Sequence, residues 1–193
     1  MNVYLEYTAV VFGIIYVLLA SRSIIWCWLT GIISSALYIY INIYHHLFQE
    51  AILQTYYVVA GFYGWWLWNK KGNAKDEISI NSFSLQKNLM LIFFGALLVP
   101  IFGFGFSKLG NSLSYFDAAV TVFSFTATWM TAKKILENWL FWIVIDVVAA
   151  VMYFVKGLHA TSGLYIFFSI IAVYGYFEWK KELNPLKWKE RVV

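Results

Sequence analysis

The sequence predicts an all-α integral membrane protein built from two three-helix bundles and one additional helix. Three observations carry this prediction: the composition, the spacing of the apolar segments and an internal repeat. Of the 193 residues, 62% are hydrophobic and only 12% are charged, which leaves too little polar surface to cover a water-soluble domain. The chain holds seven apolar segments, each near the roughly 20 residues that a helix needs to cross a bilayer.

The seven segments follow one another at short intervals. They lie at 4–21, 24–44, 48–69, 87–106, 115–133, 136–156 and 158–179. The longest hydrophilic stretch, from Asn69 to Asn88, is too short for an appended ATPase domain. The first residues lack the basic region and cleavage site of a signal peptide, so we expect the first segment to be retained as a helix.

The chain also matches itself at an offset of 111 residues without a gap. Each copy holds three apolar segments, so the match predicts two three-helix bundles with a substrate site between them. Matching pairs include Trp28 and Trp139, Leu47 and Leu158, Gly64 and Gly175, Trp68 and Trp179, and Glu6 and Asp117.

The fourth segment, at 87–106, lies outside this repeat. Three spans in each copy would insert the second copy upside down, and one extra span restores the orientation of the first. The repeats are therefore predicted to be parallel, related by an axis along the membrane normal. The predicted units are a first bundle at 1–70, a cytoplasmic loop and linker helix at 71–114, a second bundle at 115–182 and a cytoplasmic tail at 183–193.

Basic residues fall almost entirely on one side of the predicted membrane. Of the 14 lysines and arginines, only Lys108 and Lys156 lie on the other side. Because cytoplasmic loops are enriched in basic residues, we expect a cytoplasmic C-terminus and an outside N-terminus in a bacterial inner membrane. The net charge of +4 then serves topology and contact with anionic lipid rather than nucleic-acid binding.

Asp146 is the clearest candidate for a functional group inside the membrane. It lies twelve residues beyond Lys134, which is about 18 Å along a helix and near the middle of a bilayer. At helical spacing it shares one face with Trp139, Trp142 and Tyr153. A carboxylate beside aromatic rings suits a desolvated cation; the alternative is a hydrogen-bond acceptor for a neighbouring helix.

Two other segments carry polar residues on one face. In the second segment, Ser35 is the repeat counterpart of Asp146, and it either lines an asymmetric binding site or forms a packing seam with Gly31. In the third segment, Gln54 and Tyr57 share a face. The amide of Gln54 can both donate and accept hydrogen bonds, which suits ribose or amide groups.

Several remaining residues have structural explanations. Glu50 is placed to interact with a helix dipole, although it shares the face of Gln54. Most tryptophans near the predicted cytoplasmic boundary are typical of an interfacial belt. They are Trp26, Trp65, Trp66, Trp68, Trp179 and Trp188.

Catalytic, metal and cofactor sites find no support in the sequence. The single cysteine, Cys27, has no partner for a disulfide or a metal. His45, His46 and His159 are predicted in loops without a carboxylate cluster to complete a metal site. We therefore predict a protein that is not an enzyme and holds no cofactor. A seven-helix receptor or sensor is the alternative of another class, but a retinal protein would need a lysine in the seventh segment, which has none.

Two strings of residues resemble a known family. They are Leu53-Gln54-x-x-Tyr57 in the first repeat and Glu137-Asn138-Trp139-Leu140-x-Trp142-Ile143-x-x-Asp146 in the second. These strings resemble the Pnu family of vitamin transporters, and the resemblance covers all seven segments. It implies three plus one plus three helices in parallel repeats, like the sugar-transporting SWEET fold.

The resemblance also implies a function. Members of this family import an unphosphorylated vitamin by facilitated diffusion, and a separate cytoplasmic kinase traps it. Nicotinamide riboside is the first expectation. Thiamine is the alternative, because both vitamins are flat aromatic cations. In addition, relatives that resemble thiamine transporters tend to carry Asp at the position of Asp146, whereas nicotinamide riboside members often carry Asn. The sequence leaves open a homo-oligomer. The residues expected at the substrate site are Ser35, Gln54, Tyr57, Asn138, Trp139, Trp142, Asp146 and Tyr153.

Overall fold

A computed structural model describes residues 3–44, 48–70, 79–108, 114–155 and 157–183. His45, His46, Lys156, Trp188 and the tail beyond 183 lie outside these ranges. The helices are α1 Val3–Ser21, α2 Trp26–Tyr44, α3 Phe48–Trp68, α4 Leu85–Lys108, α5 Ser114–Ala132, α6 Asn138–Val155 and α7 His159–Leu183. All seven predicted segments are therefore confirmed as helices, and the largest difference is at the end of α7, which continues beyond the predicted position 179.

Six of these helices form a closed ring. In the described chain, α2 packs between α1 and α3, and α6 packs between α5 and α7. The ring closes through contacts of α3 with α5 and of α1 with α7. Helix α4 lies outside it and packs against α5. We call α1–α3 the first triplet and α5–α7 the second triplet.

The ring has an apolar exterior. Large hydrophobic side chains such as Phe93, Val144 and Val151 are exposed, and α4 buries little besides Gly95 and Gly103. Such a surface matches lipid hydrocarbon rather than water. Within the described ranges, α1, α2, α4 and α6 are each long and apolar enough to cross a membrane by themselves.

Helices α3, α5 and α7 have the length of a span but are more polar than the other four. Their polar side chains, among them Gln54, Thr121 and Tyr165, line the interior of the ring. A polar residue is tolerated at membrane depth when it faces the interior of a bundle. The lower hydropathy of these three helices therefore reflects the central cavity that they enclose.

The chain before α4 is fastened to the turn between α5 and α6. The amide of Asn81 donates to the carbonyl of Lys134 at 2.9 Å, and the amide of Leu136 donates to the carbonyl of Asn81 at 2.8 Å. The carboxylate of Glu137 accepts hydrogen bonds from the Ser82 hydroxyl at 2.5 Å and the Phe83 amide at 2.9 Å. These bonds attach the linker to the second triplet.

We expect Glu137→Ala to lower the stability of the fold by about 1 kcal/mol, because the part-buried Phe83 amide loses its charged acceptor while the exposed Ser82 hydroxyl can bond water. Thermal unfolding of the detergent-solubilised chain measures the change. Glu182→Ala is the matched control, since Glu182 is exposed and accepts one long bond, at 3.3 Å, from Ser23. Equal melting temperatures for the two variants would contradict a clamping role for Glu137.

Candidate functional site

The ring encloses a central cavity of about 540 Å³. This volume falls within the range of about 300–1,000 Å³ that is typical of small-molecule sites. All six ring helices contribute to its wall. At one end, the cavity extends to where α1, α3 and α5 begin, which we call the entrance end. Near the opposite end it stops at a cluster of tryptophans, which we call the floor: Trp28, Trp68, Trp139 and Trp179.

Seven of the eight residues expected at the site line this cavity. They are Ser35, Gln54, Tyr57, Trp139, Trp142, Asp146 and Tyr153. Three different helices, α2, α3 and α6, thus bring their polar faces together as helical spacing predicts. The contribution of each residue to binding stays a prediction.

Asp146 is the most distinctive group in the wall. Asp146 is 5% exposed. On the same face of α6, Tyr153 stacks on Tyr165 of α7, with the ring centroids 5.3 Å apart. Within the described ranges, no lysine, arginine or histidine forms an ion pair with Asp146. Among the described residues, the cavity therefore offers a carboxylate and aromatic faces, and no basic side chain neutralises the carboxylate.

Asn138 is placed differently from the prediction. It is fully buried and does not line the cavity. Its amide nitrogen donates to the carbonyl of Ile135 at 2.6 Å, and its oxygen lies 3.0 Å from the Thr131 hydroxyl. Thr131 does line the cavity, and it accepts a hydrogen bond from the indole of Trp142 at 3.4 Å. Hydrogen bonds thus connect Asn138 to Trp142 through Thr131, and a contribution of Asn138 to binding stays a prediction.

The entrance end carries acidic residues that the sequence did not single out as functional. Glu6, Glu50 and Asp117, in the first turns of α1, α3 and α5, all line the cavity. In the sequence, Glu6 and Asp117 are a matching pair of the repeat, and the helix dipole is a sufficient explanation for Glu50. The sequence does hold one signal for this group, since each of the three acids lies in the first turn of its helix. Helices that begin on the same side of a bundle place their first turns at the same end. No group of histidine, cysteine and acidic residues suited to a metal occurs in the described part of the chain.

The predicted interfacial belt of tryptophans does not include Trp68 and Trp179, which belong to the floor. Trp179 is fully buried and Trp68 is half-buried, and together with Trp28 and Trp139 they form one aromatic cluster. Trp66, by contrast, is 54% exposed. A tryptophan near the end of an apolar segment can face lipid or the bundle, and hydropathy alone does not distinguish the two.

Two tryptophans of the floor connect the triplets. The indole nitrogen of Trp68 donates to the carbonyl of Ala132 at 3.0 Å, so α3 binds the end of α5. The indole nitrogen of Trp179 donates to the carbonyl of Ala20 at 3.0 Å, so α7 binds the end of α1. These two reciprocal bonds fasten the triplets to each other at the floor.

Comparison with known proteins identifies the family. Residues 3–181 match the family described as nicotinamide mononucleotide transporter. The chain belongs to this transporter family. The Pnu resemblance is thereby confirmed, and with it the prediction that the protein is a transporter rather than an enzyme or a receptor.

Individual members of the transporter family align along most of the chain. The nicotinamide riboside transporter PnuC of Escherichia coli is 26% identical over 91% of this chain and 84% of its own length. PnuC of Neisseria mucosa is 26% identical over 92% of this chain and 72% of its own length. The riboflavin/roseoflavin transporter RibM of Streptomyces davaonensis is 24% identical over 88% of this chain and 81% of its own length.

The fold has a counterpart of known structure. A crystal structure of the vitamin B3 transporter PnuC superposes with a TM-score of 0.78 at 24% identity, covering 95% of this chain and 83% of that one. The shared fold, the bacterial relatives and the apolar helices together indicate a multi-pass protein of the bacterial inner membrane.

Proposed function

We propose that this protein imports an unphosphorylated cationic vitamin, with nicotinamide riboside as the preferred substrate and thiamine as the alternative. The observation that carries the proposal is the buried carboxylate of Asp146, which lines the cavity with aromatic rings and has no cationic side chain paired with it in the described chain. A buried carboxyl group keeps its negative charge only beside a partner, and a substrate cation would supply one. Aromatic faces add attraction for the same charge.

The acidic entrance supports a cationic substrate. Three carboxylates at the mouth of a cavity, those of Glu6, Glu50 and Asp117, raise the local concentration of positively charged molecules. The names of the PnuC relatives support nicotinamide riboside. The name of RibM shows that a relative takes riboflavin, which is uncharged, so riboflavin belongs in every ligand panel.

The fold proposed for transport is a pair of parallel repeats in the 3+1+3 arrangement of the SWEET fold, with units at 1–70, 71–114, 115–182 and 183–193. The placement of the first turns of α1 and α5 at the same end of the cavity supports parallel repeats. The N-terminus would then lie outside and the C-terminus in the cytoplasm, with the floor on the cytoplasmic side.

Transport in this scheme is facilitated diffusion. A substrate enters from the entrance end and leaves when the indole bonds at the floor separate, as expected when one bundle rocks against the other around a fixed site. Neither an ATP-binding motif nor a second buried acid paired with Asp146 is needed for this cycle. A cytoplasmic kinase that phosphorylates the vitamin would make uptake net inward.

Proteoliposomes containing the full chain test the proposal. We expect labelled nicotinamide riboside, or thiamine, to equilibrate across the membrane without a pH or sodium gradient and to exchange with unlabelled substrate. Riboflavin serves as the neutral comparison. Flux of riboflavin alone, or the absence of flux for both cations, would refute a cation transporter.

A further inference from the structure

Two indole N–H groups at the floor lack an acceptor. The indole nitrogens of Trp28 and Trp139 are buried, and neither has a hydrogen-bond partner within the described ranges. Both residues are 2% exposed and both line the cavity. Buried donors are nearly always paired in folded proteins, so two unpaired ones in the wall of a binding cavity require an explanation. Trp68 and Trp179 of the same cluster show the usual arrangement, since both donate to carbonyls.

The two rings are held in place by the backbone of neighbouring helices. A Cβ atom at Gly64 would overlap the Trp28 ring, and one at Gly175 would lie 2.7 Å from the Trp139 ring. Trp28 also packs edge-on with Trp68, and Trp139 with Trp179, each at 5.4 Å between centroids. Rings wedged in this way have little freedom to turn toward another acceptor.

The arrangement occurs twice. Trp28 and Trp139 are 111 residues apart, and so are Gly64 and Gly175. In both triplets, a glycine thus lies against a tryptophan ring whose indole N–H is unpaired. The unpaired donor therefore accompanies the contact between tryptophan and glycine in both triplets and is not peculiar to one of them.

We propose that Trp28 and Trp139 form a two-donor subsite at the floor of the cavity that binds an uncharged acceptor oxygen of the substrate, an amide carbonyl or a hydroxyl. The indole N–H is a donor without charge and has no acceptor capacity, so this group pairs with an oxygen of the substrate. Trp139 and Asp146 are seven residues apart on α6, about 10 Å along the helix axis. The cation is therefore held at Asp146 and the acceptor end at the floor, which orients the substrate along the cavity. This inference rests on the proposed function, and it adds Trp28 to the residues that determine specificity.

The test compares substrates with and without the acceptor. Calorimetry on the purified full chain measures binding of nicotinamide riboside, of ribosylpyridinium, which lacks the amide, and of 1-methylnicotinamide, which lacks the ribose. We expect Trp28→Phe to weaken nicotinamide riboside about 10-fold, as for one lost hydrogen bond at the upper end of the usual range. The same substitution should leave the affinity unchanged for the analogue that lacks the group bound at the floor. Trp139→Phe should behave alike, and the exposed Trp66→Phe is the control. If the wild type binds thiamine instead, thiamine is compared with its analogue that lacks the hydroxyethyl group.

The outcomes separate the two proposals. Equal loss for the complete substrate and for every truncated analogue would overturn the subsite, because it would show that the indoles only shape the floor. A wild-type chain that binds neither cation would end the proposed function and this inference together. If Trp28→Phe fails to fold, 3-benzothienylalanine at position 28 keeps the ring shape but lacks the N–H, and the same comparison decides.

Discussion

Asp146→Ala is expected to weaken binding of the cationic substrate by about 1–3 kcal/mol, or about 5- to 150-fold, as for the loss of a buried charged partner. Asp146 as a whole is 5% exposed and lies in the wall of the cavity, so water compensates little for the loss of its carboxylate. Isothermal calorimetry with nicotinamide riboside and thiamine measures the change, and transport in proteoliposomes should fall in parallel.

Asp146→Asn separates charge from hydrogen bonding. The amide keeps the size of the side chain and one acceptor oxygen but loses the negative charge, so a substrate held mainly by charge should bind almost as weakly to this variant as to Asp146→Ala. Glu182→Gln, at an exposed position of α7, controls for a general change in charge. Unchanged affinity in both Asp146 variants would show that the carboxylate supports the fold rather than the substrate.

Removing the indole bonds at the floor should open the cavity on that side. We expect the double variant Trp68→Phe, Trp179→Phe to increase the labelling rate of Cys27 about 10- to 30-fold, because it deletes two cross-triplet hydrogen bonds of about 1 kcal/mol each. Cys27 is the single cysteine of the chain and is fully buried in the cluster that closes the floor. The unmodified sequence thus carries its own reporter.

Mass spectrometry after a timed exposure to a maleimide gives the labelling rate. Trp66→Phe is the matched control, since Trp66 lies on the same helix as Trp68 but is exposed. Thermal melting distinguishes an opened floor from global unfolding. A labelling rate that stays at the wild-type level in a folded double variant would mean that these bonds do not hold the floor closed.

The helices could be predicted because an apolar segment of membrane length has few alternatives to a helix. The face of α6 that bears Trp142, Asp146 and Tyr153 could be predicted as well, because helical geometry fixes which residues share a side. Asn138 could not be placed, since it is the first residue of α6 and its amide satisfies local groups there instead of facing the cavity. The ring was equally inaccessible, because contacts between distant helices such as α1 and α7 leave no periodic signal in the sequence.

The tryptophans show the same limit. Trp66 and Trp179 both lie near helix ends, yet one is exposed and the other is fully buried. Their surroundings are decided by packing partners from other helices, and the Trp179 indole finds its acceptor at Ala20, 159 positions away. The acidic entrance was missed for a related reason, since one acid in a first turn is ordinary and only the assembled helices show that three of them meet.

The ring closed by α1 and α7 has an uneven connectivity. No loop joins these two helices, whereas the segment just before α4 is fastened to the turn between α5 and α6 through Asn81 and Glu137. Side-chain contacts such as the Trp179 and Ser23 hydrogen bonds hold the α1–α7 boundary. Parting along that boundary would stretch no backbone, so we expect an opening of the ring to begin between α1 and α7.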